Sequence, residues 1–127
     1  MRTATIAVTA LLAVVAFAPA QSAGASKRVA LQQCPEPLPS LVVWVKASQA
    51  SDCDVGKAIS RKFRRFVQDN KYNPNAPGFY NGAYHRQYFG WACHAGFVGS
   101  DEVVMGCRKR VGQTSQFRFI QGFFFAD

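Results

Sequence analysis

The sequence predicts an α+β domain in which one amphipathic helix packs on a small antiparallel sheet and two disulfides close the chain. One segment with clear helical periodicity lies between a predicted strand and three further predicted strands, an order typical of a helix on an antiparallel sheet. The chain has 127 residues, which suits a single domain, and contains four cysteines. Its 49% hydrophobic and 17% charged residues exclude a disordered chain.

Residues 1–20 have the pattern of a secretory signal peptide. Met1-Arg2 gives a positive start, the stretch from Thr5 to Ala18 is almost entirely apolar, and small residues follow. An apolar run of about 14 residues is too short to span roughly 30 Å of hydrocarbon as a helix. We therefore expect a secreted protein, with cleavage at residue 20 or as late as residue 25.

A dibasic pair, Lys27-Arg28, follows the predicted signal. It resembles the propeptide sites that kexin-type proteases cut, so residues 21–28 form a candidate short propeptide and residues 29–127 a single disulfide-stabilised domain. The alternative is two ordinary charges in a flexible N-terminus.

All four cysteines lie in the predicted mature domain, at Cys34, Cys53, Cys93 and Cys107. An even number of cysteines in a small exported domain predicts two disulfides, and three pairings are open. No Cys-x-x-Cys pair is present, so zinc is not expected, and neither is any other metal or cofactor.

The predicted elements begin with a strand at Leu41–Val45, which is rich in β-branched and aromatic residues. A helix is predicted over 52–68, where five apolar residues form one stripe: Val55, Ile59, Phe63, Phe66 and Val67. Asp52 and Asp54 are expected to cap its start.

Three strands are predicted after the helix, at 80–94, 102–109 and 116–125. The first alternates aromatic and polar residues and has a candidate turn at Asn81-Gly82 near its start. This completes the order of one strand, one helix and three strands.

A small basic secreted domain raises the question of a ribonuclease, which needs a general base, a general acid and a cation. The candidates are His85, His94, Glu102 and Glu36, with Arg86 or Arg108 as the cation. On one continuous strand the two histidines face opposite sides, and the alternative is a bend at Gly90 that brings them together. A disulfide at Cys93 is also expected to bury His94. Motifs for other catalytic classes are absent, so we predict no enzyme, with a ribonuclease as the enzymatic alternative.

The order of several motifs resembles a known family. Cys53 and its helix come first, then the loop Tyr72–Gly78, then Tyr88-Phe89-Gly90-Trp91-Ala92 and Asp101-Glu102-Val103-Val104. This order resembles the small fungal guanyl-specific ribonucleases and the ribonuclease-like secreted effectors of plant-pathogenic fungi. Gly90 stands where those enzymes carry the catalytic glutamate, and Glu102 where they carry the catalytic arginine. The resemblance therefore implies a catalytically inactive effector.

Positive charge is concentrated in two segments of this chain, whose formal net charge is +8. The predicted partner-binding residues are Lys57, Arg61, Lys62, Arg64 and Arg65 on the helix, and Arg108, Lys109 and Arg110 on a later strand. A mixture of aromatic and basic residues, typical of platforms for single-stranded nucleic acid, occurs at Tyr84, Arg86, Tyr88 and Trp91. The alternative is a solvated helix face above a sheet of core aromatics.

We predict a secreted, non-enzymatic effector of the virulence type that binds an anionic macromolecule of a host or competitor through this basic surface. The macromolecule is a protein, an RNA or a polysaccharide. Translocation into a host cell is an alternative to action outside it, and the basic run Arg61–Arg65 resembles a nuclear-import signal. The alternatives are a divergent extracellular ribonuclease and a cationic antimicrobial protein. The apolar stripe of the helix counts against the latter, because the core needs it.

Overall fold

A computed structural model describes residues 29–71 and 73–127, so the predicted signal peptide and dibasic site lie outside the described residues. One helix packs on one face of a seven-stranded sheet, which confirms the predicted fold class. The elements are β1 (Gln32–Gln33), β2 (Val42–Ala47), a 3-10 turn (Ala50–Asp52), α1 (Cys53–Asp69), β3 (Phe79–Tyr80), β4 (Ala83–Tyr88), β5 (Trp91–Phe97), β6 (Glu102–Arg110) and β7 (Phe117–Phe125).

The strand order in the sheet is β1-β2-β7-β6-β5-β4-β3, and every neighbouring pair is antiparallel. The last strand, β7, therefore lies between β2 and β6. Side chains alternate between the two faces along each strand. We call the face against α1 the helix side and the other face, which carries His94, Arg108 and Phe119, the open face.

The helix α1 begins and ends one residue later than predicted. Its apolar stripe is the core of the domain, since Ile59, Phe63 and Val67 are fully buried. Asp52 is the N-cap residue, but its carboxylate does not bond to the backbone of the first helical turn. It accepts two hydrogen bonds from the guanidinium of Arg118 on β7 instead. The predicted role of Asp52 as a side-chain cap is therefore wrong, because a buried ion pair takes its place.

The predicted strand over 80–94 is three strands in the structure. Two-residue turns separate them at Asn81-Gly82, as predicted, and at Phe89-Gly90, where a bend is only the alternative prediction. All four turn residues have positive φ, as type I′ turns require. Phe at a left-handed position is rare, and this explains why the second turn gave only a weak sequence signal.

Both predicted disulfides are present, and the structure assigns their pairing. Cys34–Cys53 joins the segment after β1 to the first residue of α1. Cys93–Cys107 joins residues that lie directly opposite each other on β5 and β6, with Cα atoms 4.1 Å apart. One disulfide therefore fixes the helix to the sheet edge, and the other fixes two neighbouring strands.

The Asp52–Arg118 pair yields the first prediction. Asp52 is 2% exposed, and Asp52→Asn removes the negative charge that pairs with Arg118. The substitution should therefore lower the free energy of unfolding by about 1.5–3 kcal/mol. Urea denaturation measures the change. Asp54→Asn is the matched control, because Asp54 is exposed two residues further along. Equal losses in the two variants would contradict a special role for the buried pair.

Candidate functional site

The open face contains a shallow cleft of about 810 Å³ that lies across β4, β5, β6 and β7. Two of its lining residues, Ala92 and Gly106, carry little or no side chain, and the ring of His94 lies over Gly106. Larger side chains surround them, including His85, His94 and Arg108. The cleft is ligand-sized, since small-molecule sites commonly measure roughly 300–1,000 Å³.

The two histidines of the sequence lie side by side in this cleft. The Phe89-Gly90 turn makes His85 and His94 direct cross-strand partners, with ring centroids 6.4 Å apart. The prediction that they face opposite sides is wrong, because it assumed one continuous strand. The prediction that the disulfide buries His94 is also wrong, because Cys93 points to the helix side and His94 to the open face, where it is exposed.

The two imidazoles have different surroundings. The ring of His85 stacks on Tyr80 with centroids 3.7 Å apart, and its Nδ1 lies 3.2 Å from the carbonyl oxygen of Gly78. If Nδ1 carries the proton and donates it there, Nε2 is left as a hydrogen-bond acceptor. The ring of His94 lies over Gly106, where an added Cβ would come within 2.9 Å of Cε1.

A row of phenylalanines follows β7 along the open face: Phe117, Phe119, Phe123 and Phe125. Neighbouring rings in the row are 6.4 Å apart for Phe117 and Phe119, and 5.7 Å apart for Phe123 and Phe125. Trp44 on β2 extends the row by stacking on Phe123 at 6.2 Å. The alternation of Phe in the sequence signalled this row, but its place on the uncovered face depends on where the helix packs.

The predicted basic triplet on β6 is split between the two faces by strand alternation. Arg108 and Arg110 lie on the open face, where both guanidinium groups sit over the ring of Phe117 at 5.3 and 5.5 Å. Lys109 points to the helix side, with its Nζ 6.0 Å from the ring of Trp91. Lys46 on β2 adds a third cation to the open face, over Trp44.

The predicted basic residues of α1 also lie in different environments. Arg64 does not form a free binding surface, because its Nε and Nη2 donate hydrogen bonds to the carbonyl oxygens of Phe125 and Asp127. Arg61, Lys62 and Arg65 are exposed and line a second cavity, which Lys57 does not reach.

This second cavity, which we call the helix-side cavity, measures about 640 Å³ and lies between α1 and β4. Its lining residues are Arg61, Lys62, Arg65, Phe66, Asp69, Arg86 and Tyr88. Burial raises the pKa of the Tyr88 phenol, although Arg86 opposes this through its charge and a hydrogen bond. The phenol is therefore protonated at neutral pH.

The predicted mixed aromatic and basic platform is wrong in its placement. Its aromatic members Tyr84 and Trp91 are each 2% exposed on the helix side, so they belong to the core. The exposed aromatic and basic platform is the open face. Of the acidic candidates, Glu102 and Glu36 are exposed, and neither lines the cleft beside the histidines.

No protein-family model, curated protein or solved structure matches the chain. Among residues 29–71 and 73–127, no cluster of three or more His, Cys, Asp or Glu could hold a metal ion. No helix in the same part of the chain is long and apolar enough to cross a membrane.

The contact between His94 and Gly106 yields the second prediction. In Gly106→Ala the new methyl must displace the imidazole, which is exposed and free to move, so the free energy of unfolding should change by less than about 0.5 kcal/mol. The ring signals of His94 should shift in heteronuclear NMR spectra. Gly96→Ala is the control, since a Cβ there meets only the Gly82 carbonyl oxygen at 3.6 Å. Unmoved His94 signals in Gly106→Ala would contradict the described placement of the ring.

Proposed function

We propose that the protein is a secreted, non-enzymatic effector that binds single-stranded RNA of a host or competitor on its open face. The observation that carries the proposal is the row of phenylalanines on β7, beside the cations of β2 and β6. A solvated sheet face normally carries polar side chains, and a run of aromatic residues there is a mark of a binding surface.

Aromatic side chains on a sheet bind single-stranded nucleic acid by stacking on the unpaired bases. Each such contact contributes about 1–3 kcal/mol and tolerates any base, because every base has a π face. Phe117, Phe119 and Phe123 are half-buried and so are held in place by their neighbours while their outer surface stays accessible. The row therefore supports binding without strong sequence preference.

The cations of the open face lie where phosphates of such a strand would run. Arg108 lines the cleft, Arg110 is exposed two residues further along β6, and Lys46 lies across β7 from them. Phosphate neutralisation releases counterions, and this makes binding weaken with salt. The same face also carries Gln121, whose amide can bond to a base edge in the manner of single-stranded recognition.

The third prediction tests the open face with labelled single-stranded RNA and the protein with both disulfides formed. Arg108→Gln combined with Arg110→Gln should reduce affinity at least about tenfold. It should also reduce the slope of log K against log salt by about 1.4, because each single-strand phosphate contact contributes about 0.7. Fluorescence anisotropy across salt concentrations measures both, and Phe119→Leu should weaken binding without changing the slope.

The matched control is Arg61→Gln combined with Arg65→Gln, which removes the same charge from the helix side. An equal loss of affinity in this control would contradict the open face as the site. Complete lack of RNA binding by the unaltered protein would contradict the proposal and favour an acidic protein or polysaccharide as the macromolecule.

The histidine pair supports a second candidate function, a ribonuclease. Nε2 of His85 could take the proton of a ribose 2′-hydroxyl, whose oxygen then attacks phosphorus to give a 2′,3′-cyclic phosphate. A protonated His94 could give its proton to the departing 5′-oxygen, and Arg108 lies in the same cleft as the cation. RNA cleavage that disappears in both His85→Gln and His94→Gln, with binding retained, would establish this candidate over the non-enzymatic one.

A further inference from the structure

The helix-side cavity concentrates positive charge that the protein itself does not neutralise. Four cations and one carboxylate, Asp69, line it, which gives a formal charge of +4 − 1 = +3. Within residues 29–71 and 73–127, no carboxylate oxygen lies within 4.0 Å of a cationic nitrogen of Arg61, Lys62, Arg65 or Arg86. Arg61 and Arg65 are also four positions apart on the helix, a like-charge spacing that destabilises it.

Arg86 is held in an orientation suited to binding an anion. Its guanidinium lies over the ring of Phe66, with Cζ 4.1 Å from the ring centroid, and it also donates a hydrogen bond to the Tyr88 phenol. A guanidinium carries several N–H donors, so this contact leaves donors for a ligand. Its Nε is buried and has no hydrogen-bond partner within the described part of the chain. Buried donors are normally satisfied, and an unsatisfied one calls for a missing partner.

The remaining lining groups favour a small ligand with both polar and carbon parts. The protonated phenol of Tyr88 can donate a further hydrogen bond, and the edge of Phe66 offers apolar surface. The volume of about 640 Å³ lies within the range of small-molecule sites. One phosphate ester carries a charge of about −1.5 to −2 at neutral pH, so two of them would balance the lining charge of +3.

We propose that the helix-side cavity binds a compact ligand that carries two or more phosphate groups. Arg86 contacts one phosphate through its edge, while Arg61 and Arg65, on successive turns of α1, contact another. The site is separate from the open face and does not depend on the proposed RNA binding. The phosphates belong either to a free small molecule or to the headgroup of a lipid.

The fourth prediction tests this site by isothermal titration of the oxidised protein with inorganic pyrophosphate and with inositol trisphosphate. Arg61→Gln combined with Arg65→Gln should weaken binding of both probes at least about tenfold. Lys57→Gln combined with Lys109→Gln removes the same charge from positions that do not line the cavity, and it should change affinity less than about twofold. Arg86→Lys keeps the charge but loses the planar fork, and it should also weaken binding at least about tenfold.

Several outcomes would overturn the proposal. One is that the unaltered protein binds neither probe nor the vesicles. Another is that the two charge-matched double variants lose affinity for the probes equally. Because Arg61 and Arg65 are exposed, their variant keeps the test valid even if Arg86→Lys does not fold. In the unaltered protein, the NMR signal of the Arg86 Nε–H should shift on addition of pyrophosphate, and an unmoved signal would contradict the assigned contact.

Phosphatidylcholine vesicles with and without phosphatidylinositol bisphosphate distinguish the two sources of phosphate. Binding to these vesicles, lost in Arg61→Gln with Arg65→Gln, supports a lipid headgroup, whereas binding of the free probes alone supports a soluble ligand. Retained RNA binding in the same variant separates this site from the proposed function, so that either proposal can fail without the other.

Discussion

The close approach of α1 to strands β2 and β7 is the constraint on which the rest of the structure depends. At Gly56 an added Cβ would lie 3.0 Å from Val45 and 3.2 Å from Ile120, and at Gly122 it would lie 3.2 Å from Ser60. Glycine at both positions lets the helix backbone rest directly on this part of the sheet. The helix therefore contacts β4 only through large side chains, such as Phe63 against Tyr88 at 5.3 Å. This separation leaves the helix-side cavity open.

The single helix also leaves one whole face of the sheet uncovered. Because side chains alternate along each strand, neighbouring residues of different chemical type lie on opposite faces. On β7, Ile120 and Phe124 point to the core while Phe119 and Phe123 point to solvent. On β6, Arg108 and Lys109 go to opposite faces although they are neighbours in sequence. The basic character of the chain is thus divided between two surfaces with different shapes. One is shallow and aromatic, which suits a polymer, and the other is smaller and cationic, which suits a small anion.

Sequence patterns predicted the features that depend on local periodicity. The stripe of α1, the Asn81-Gly82 turn, the presence of two disulfides and the fold class all follow from spacing and composition. The placement of His85 and His94 could not be predicted in the same way, because it depends on a turn at Phe89-Gly90 that breaks the usual residue preference. The role of Arg86 depends on tertiary contacts with Phe66, twenty positions earlier, which no local pattern reveals.

Each disulfide lies beside one of the two surfaces and restricts its geometry. Cys93–Cys107 joins β5 and β6 on the helix side. The adjacent residues, His94 on β5 and Gly106 on β6, lie opposite each other and face the cleft. The bond therefore fixes the strand pair that carries this part of the cleft. Cys34–Cys53 fixes the first turn of α1, whose later turns carry Arg61 and Arg65. Each disulfide closes a loop of a size that lowers the conformational entropy of the unfolded chain, and this stabilises the folded state by about 3 kcal/mol. A binding surface held rigid before the ligand arrives loses less conformational entropy on binding, so the two covalent links would favour the proposed binding as well as stability.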